Sequence, residues 1–316
     1  MDRKNMLTGR PFDDLRAILA QLPDADDCAA KKVREALAGK PVDSTSGLAE
    51  LAAWAASWQG SSNPSIAESH ICVLASSYEG QDTSSVTDYI EATSKGAAAV
   101  NLLCVEKGIG LRAIQLAPEM PHPSDGDWSE QDCMAAVAFG MEATAAGGNI
   151  LGLTDMAPGN AERAVAIILA VKGLQSDDTL LAAVDKDFAN NVKVLLARVQ
   201  GAEGDPLEVM RRLGGREIAA AVGALVAARS RRLPVLTDGW AAIAATVVLD
   251  ALVDGATGHV LPAASDNPMQ ALAWHLIGKT PIVGLEIGGG PGCGIAIGVS
   301  VLGAACAMLG LRDRTQ

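Results

Sequence analysis

The sequence predicts an α/β fold, a mostly parallel sheet flanked by helices in a Rossmann-like three-layer arrangement with a small helical lobe ahead of it. Three observations lead there. Short apolar runs end in small polar residues, as in "HICVLASS" from His70 and "NILGLTDMAPGN" from Asn149, which is how buried parallel strands reach their carboxyl-terminal loops. Between them lie segments whose apolar residues recur at three and four, the helical period. The two patterns alternate along the chain, which calls for parallel strands joined by helical crossovers.

The elements follow in order. "PFDDLRAILAQLP" and "SGLAELAAWAASWQG" read as helices, the second with caps available from Asp43 to Ser46. After the strand at His70, "VTDYIEATSKGAAAVNLLCVEKG" reads as helical and "LRAIQLAP" as a strand. "WSEQDCMAAVAFGMEATAAGG" is a helix with Ser129 as its cap, and "NILGLTDMAPGN" is a strand running into a turn. "EIAAAVGALVAARSRRLP" followed by "VLTDGWAAIAATVVLDALV" gives helix, strand, helix, with "RSRRLP" as a solvated helix end. "GHVLPAASD", "QALAWHLIG" and "PIVGLEIGGG" continue the alternation. Residues 1–316 form one unit, with the helical lobe over about 1–65 and the parallel-sheet domain over 66–311.

Composition narrows the function classes. The 316 residues are 49% hydrophobic but only 3% aromatic, so the core is built from Ala, Val, Leu and Gly and its helices pack closely. A formal charge of −12 excludes a nucleic-acid surface, which needs positive potential. Six scattered cysteines show no C-x-x-C pairing or histidine spacing, so no metal site is expected and the thiols read as buried and free. The opening "MDRKNMLTGRPFDD" has no apolar core of a secretory signal, which points to a cytoplasmic protein. From Ile287 to Leu311 no residue is charged, a length that raises a membrane span. The Gly and Pro residues at its start favour a buried helix after a glycine-rich loop.

Ligands of such sheets sit at the carboxyl ends of the strands, here "ASSYEG", "TDMAPGN", "TDGW", "PAASDNP" and "GGGPGCG". In the second, Asp155 can hold a ribose hydroxyl or an imidazole nitrogen, and Gly159 and Asn160 can offer backbone N–H groups to phosphate. The competing reading is a Pro-Gly-Asn turn with Asp155 capping the next helix. Asp238 reads as a cap for the helix near Trp240. None of the patterns G-x-S-x-G, Walker A or H-E-x-x-H occurs, and "GGGPGCG" lacks the acidic residue that follows a dinucleotide fingerprint.

Taken together, these segments resemble the nicotinate-nucleotide–dimethylbenzimidazole phosphoribosyltransferase family. "DPLEVMRRLGGREIAAAVGALVAARSRRLPVLTDGW", Asp205 to Trp240, looks like that family's D-P-L-E-V-L-R-R-L-G-G-x-E-I-A-A stretch and the D-G-F after it. "SGLAELAAWAASWQG" resembles its L-x-x-L-A-x-W helix and "VTDYIEATSKGAAAVNLL" its V-T…G-A-A-x-N helix. "NILGLTDMAPGN" is similar to its L-x-I-G-E-M-G-I-G-N loop. The likeness spans about residues 43 to 311.

The resemblance implies phosphoribosyl transfer from nicotinate mononucleotide to a 5,6-dimethylbenzimidazole-like base, with nicotinate released. It implies no cofactor, small-molecule substrates, and a homodimer or a heterodimer with a paralogue. A glutamate in a G-E-G-T-G loop serves the family as general base. Aligned from Pro281, that loop is Gly290, Pro291, Gly292, Cys293, Gly294, and Pro291 occupies the glutamate position without a side-chain base. The substrate-binding positions carried over are Asp155, Gly159, Asn160, Ser265, Gly290, Gly292 and Gly294, with Lys193 as counterpart of a phosphate lysine. Asp155 is the candidate catalytic group. Two threonines of the nucleotide turn become Ala161 and Glu162, and the family's D-H-G after its first strand is replaced around Ser76, Ser77 and Tyr78. The alternative is a catalytically silent paralogue that binds a ligand or serves a heteromeric complex.

Overall fold

The computed structural model describes residues 9–38, 47–123, 128–174, 179–182, 184–202, 204–265 and 267–310. Its sheet has five strands: β1 (Ser69–Ala75), β2 (Gly110–Gln115), β3 (Ile150–Met156), β4 (Val235–Thr237) and β5 (Val260–Pro262). All pair in parallel, in the order β2-β1-β3-β4-β5. Their carboxyl ends therefore share one edge. The order reverses between β1 and β3, and this switch point opens a crevice at that edge.

The helices in chain order begin with α1 (Pro11–Leu19), α2 (Asp27–Leu37), α3 (Gly47–Gln59), α4 (Ser84–Ser94) and α5 (Ala99–Lys107). Then come α6 (Glu130–Gly140), α7 (Asn160–Lys172), α8 (Thr179–Ala182), α9 (Lys186–Ala197) and α10 (Pro206–Leu213). The last are α11 (Arg216–Ser230), α12 (Trp240–Leu252), α13 (Pro268–Leu276) and α14 (Cys293–Ala307). Side chains alternate across a pleated strand, and the two cores follow that parity. Cys72, Leu74, Leu151, Leu153 and Val235 enter a core closed by α6, α7, α11 and α12. Ile71, Val73, Ile150 and Leu236 enter a second core closed by α5 and α14. Helix α1 packs on the first side through Phe12, Leu15 and Leu19, whereas α2 and α3 pack together beside the end of α14.

Helix α14 lies close to the sheet because β3 has Gly152 there. A Cβ at that position would stand 2.7 Å from Ile295 Cγ2 and 2.8 Å from Ile71 Cγ1. The segment Cys293–Gly310 is long and apolar enough to cross a membrane by length and composition. Here Gly294, Ile295, Gly298, Val299, Leu302 and Ala305 are buried, so α14 is a core helix as its glycine-rich approach suggests.

Several expectations need correction. The stretch expected as one helix after β1 is two, because Gly96 takes φ 73° and ends α4, and the Asn101 side chain then accepts from Ala98 N to begin α5. The run at "PIVGLEIGGG" forms no strand. It lies along β5, where Pro262 O and Ala263 O accept from Ile282 N and Val283 N. Pro262 has no N–H to return, so the ladder stops. The basic "RSRRLP" is not a purely solvated helix end: Arg229 is buried and donates to Pro23 O and Gly255 O, and Arg231 donates to Thr144 O. Among the thiols Cys72, Cys104, Cys133 and Cys293 are buried as expected, but Cys28 is exposed. The caps expected from Asp43 to Ser46 lie outside the described residues, as does Asp266.

Candidate active site at the carboxyl edge of the sheet

Asp155 is the sixth residue of β3, on the same pleat face as Leu151 and Leu153. That parity aims it at the α7–α12 side. Its Oδ1 accepts from Ala241 N at 2.8 Å and its Oδ2 from Asn160 Nδ2 at 2.5 Å. It thus caps α12, the helix that follows a different strand. Asp238, directly after β4, has the opposite parity and meets α14 instead. Its Oδ2 accepts from Ile295 N at 3.1 Å and its Oδ1 from Gly292 N at 3.4 Å. The expectation that Asp238 caps the helix beginning at Trp240 is therefore corrected. Pleat parity sends each carboxylate to the helix on its own side of the sheet, and Asp155 takes the place at α12.

The loop before α14 is shaped by left-handed backbone. Gly288, Gly289, Gly290 and Gly292 take φ of 60°, 83°, 93° and 86°, a region costly for residues with a Cβ. Pro291 is half-buried, its carbonyl accepts from the Tyr89 hydroxyl at 3.0 Å, and Gly292 is the residue from which α14 starts. No residue from 287 to 294 carries a carboxylate. Whichever of them stands opposite the family's glutamate, the loop supplies no acid of its own. Glu286 just before it is exposed, and its backbone bridges to Ser265 at the edge of the sheet. Ser265 is buried, and its hydroxyl has no hydrogen-bond partner among the described residues.

Gly159 begins α7 with φ 87°, and a Cβ there would stand 2.8 Å from Gln81 Cδ and Cγ, so the turns after β1 and β3 touch. Asn160, the first residue of α7, is buried and spends its amide on Asp155. Glu162 lies in the same first turn, where a negative charge weakens the pull of the helix on phosphate. Lys193 is exposed on α9 and is not joined to this group by any hydrogen bond or ion pair among the described residues.

Sequence reasoning missed Glu217 and its pairing with Tyr78. Glu217, in the first turn of α11, accepts a short hydrogen bond from the Tyr78 hydroxyl. The Arg163 guanidinium covers the Tyr78 ring at 4.1 Å and donates to Leu213 O. The available signal was a lone acid heading the uncharged run Ile218–Ala228, which reads equally well as an ordinary first-turn charge.

The edge thus gathers three carboxylates. All three are buried: Glu217 fully, Asp238 with 2% and Asp155 with 9% of its surface exposed, so Asp155 is the least covered of them. Burial pushes the Asp155 carboxyl up to about 7, with Glu217 and Asp238 adding repulsion, while the bonds from Ala241 and Asn160 hold it from rising further. Burial raises Glu217 as well, against the donors around it. A carboxyl lifted to about 7 at the strand ends suits taking a proton from, or returning one to, a heterocycle.

Comparison with known proteins gives the family of the chain and the likeness of its fold. A family model described as phosphoribosyltransferase matches residues 21–313. The nicotinate-nucleotide–dimethylbenzimidazole phosphoribosyltransferase of Agrobacterium fabrum is 38% identical, over 95% of this chain and 93% of the relative. The protein of that name from Rhizobium etli is 36% identical over 95% of each chain. The crystal structure of CobT from Thermus thermophilus superposes with a TM-score of 0.79, covering 90% of this chain and 97% of that one at 20% identity, a likeness of fold.

Proposed function

The chain belongs to the nicotinate-nucleotide–dimethylbenzimidazole phosphoribosyltransferase family, and we accordingly propose that it moves phosphoribose from nicotinate mononucleotide to a benzimidazole-type base, using Asp155 as its acid–base group. The observation that carries this reading is the Asp155 carboxyl itself, fixed from two sides and lifted to about 7 at the switch point, in a chain whose glycine-rich loop holds no acid.

In the transfer, one imidazole nitrogen of the base forms a bond to ribose C1′, and the bond from C1′ to the nicotinate nitrogen breaks, its electron pair leaving with nicotinate. The proton on the other imidazole nitrogen passes to the Asp155 carboxylate. Gly288 and Gly290 leave open space that a flat ring can approach closely, whereas Gly292 and Gly294 pack inward against Ile71, Val100, Ala264 and Asp238. Gly159 and Asn160 present the start of α7 to the nucleotide phosphate, Ser265 offers its hydroxyl from the end of β5, and Lys193 is left at most an outer role. The protein works in the cytoplasm as a homodimer, or as a heterodimer with a paralogue.

The test is nicotinate release from nicotinate mononucleotide with a panel of benzimidazoles. Release is expected with at least one base, and Asp155→Ala is expected to lower kcat by about 10²–10⁴, the usual worth of a general base. Release that survives Asp155→Ala but is lost in Glu286→Ala would move the role to Glu286. No release with any base, beside an active family enzyme, would refute turnover and leave a binding or partner subunit.

A further inference from the structure

The turn after β1 is pinned from beneath by residues of two other elements. Tyr78 in that turn is buried, its hydroxyl donates to Glu217 of α11, and Arg163 of α7 covers its ring. Tyr78 O accepts from Gln81 N at 3.2 Å, closing the turn. The Gln81 side chain then lies against Gly159, beside Asn160, whose amide holds Asp155 Oδ2. A continuous path of contacts therefore joins the buried Glu217 to the reacting carboxyl, and Glu217 itself has no surface for substrate.

We propose that Glu217 is a positioning residue for the transfer: through Tyr78 it holds the turn after β1 against the Gly159–Asn160 turn, and so fixes where Asp155 stands and which neighbours it faces. This rests on the reading of Asp155 as the acid–base group. The charged and titratable groups facing Asp155 are Glu217 from α11, Asp238 from the end of β4 and Tyr78 from the turn after β1. Tyr78 and Arg163 face Glu217 in turn. Burial raises the Glu217 carboxyl, and the Tyr78 hydroxyl and the Arg163 charge oppose that rise. When ionised, Glu217 adds to the burial that lifts Asp155.

Two variants test it. Glu217→Gln keeps an oxygen acceptor for the phenol and removes the charge, and Tyr78→Phe removes a single hydroxyl. The first readout is the titration midpoint of Asp155 by carboxyl carbon NMR, which needs no turnover. The second is the pH dependence of kcat/KM for nicotinate release. In Glu217→Gln the midpoint is expected to fall by about half a pH unit or more, the response to losing a buried like charge. The rising limb of kcat/KM should move to lower pH by the same amount, with KM for nicotinate mononucleotide changing less than about twofold. Tyr78→Phe should lower kcat by about tenfold without the rise in KM that a collapsed site would give. A folded Glu217→Gln protein whose Asp155 midpoint and pH profile match the wild type overturns the proposal. So does a Tyr78→Phe protein that loses only thermal stability. If the wild type releases no nicotinate, the transferase reading fails on its own, and the NMR midpoint alone decides whether Glu217 governs Asp155.

Discussion

At Asp155 the side chain does two jobs that pull in opposite directions. As a cap for α12 it favours the ionised form, because an N–H donates to it. As a group buried beside Glu217 and Asp238 it favours the neutral form, and burial wins, leaving it at about 7. An aspartate carboxyl of an unfolded chain titrates near about 3.9. The folded protein therefore holds this proton more tightly, and the stability linked to it is fully present below about pH 4 and lost as pH rises through about 7. Asp155→Asn cannot titrate. Its stability relative to the wild type is therefore expected to rise between about pH 4 and pH 8, by up to about 4 kcal/mol for a midpoint moved from about 4 to about 7. Urea denaturation of both proteins across that range measures it, and a constant difference would show that Asp155 titrates normally. The same midpoint sets activity: a base must be ionised, so kcat/KM should climb through about pH 7.

Among the elements, α14 carries the glycine loop, and its position depends on β3. Gly152 lets Ile295 reach the sheet, and the Asp238 carboxylate then finds the N–H groups of Gly292 and Ile295. Enlarging that residue should lift the helix and the loop together. Gly152→Val is expected to cost about 1–3 kcal/mol, the range for overpacking a filled core. It should also weaken nicotinate mononucleotide binding, although residue 152 touches no ligand. Denaturation and isothermal titration on the same preparation check both effects, and a loss of stability with unchanged affinity would separate the loop from the helix. The strand and helix types were legible from local pattern, since β1 and β3 are apolar runs and α1 places Phe12, Leu15 and Leu19 three and four residues apart. The run from Pro281 was misread because its apolar content is strand-like. Its missing ladder comes from Pro262 on the neighbouring strand, a partner that periodicity does not reveal.

Over the whole molecule, the sheet edge collects acids from a chain whose net charge is already −12. The helix over Cys293–Ala307 keeps a partly exposed apolar side, and Leu102 and Val105 of α5, which packs beside it, are exposed. Exposed apolar side chains on neighbouring helices are a feature of interfaces. Sedimentation of the purified chain is expected to give a species of twice its 32.4 kDa mass. A monomer that pairs only when a glutamate-containing paralogue is added would favour the heterodimer.

The α/β class, the helix that follows the glycine-rich loop, the family likeness and the absence of an acid from residues 287 to 294 could all be read from chain order. These are local properties: a period, a run of glycines, a missing residue type. Chain order also marked Asp155 and Asp238 as strand-end carboxylates. Which helix each one caps was settled in three dimensions, because pleat parity becomes a direction only when the helices on both faces are in place. So was the hydrogen bond that Glu217 and Tyr78, 139 residues apart, share below Asp155. Burial is a sum over neighbours distant in the chain, and a carboxyl lifted to about 7 is the chemical consequence of that sum.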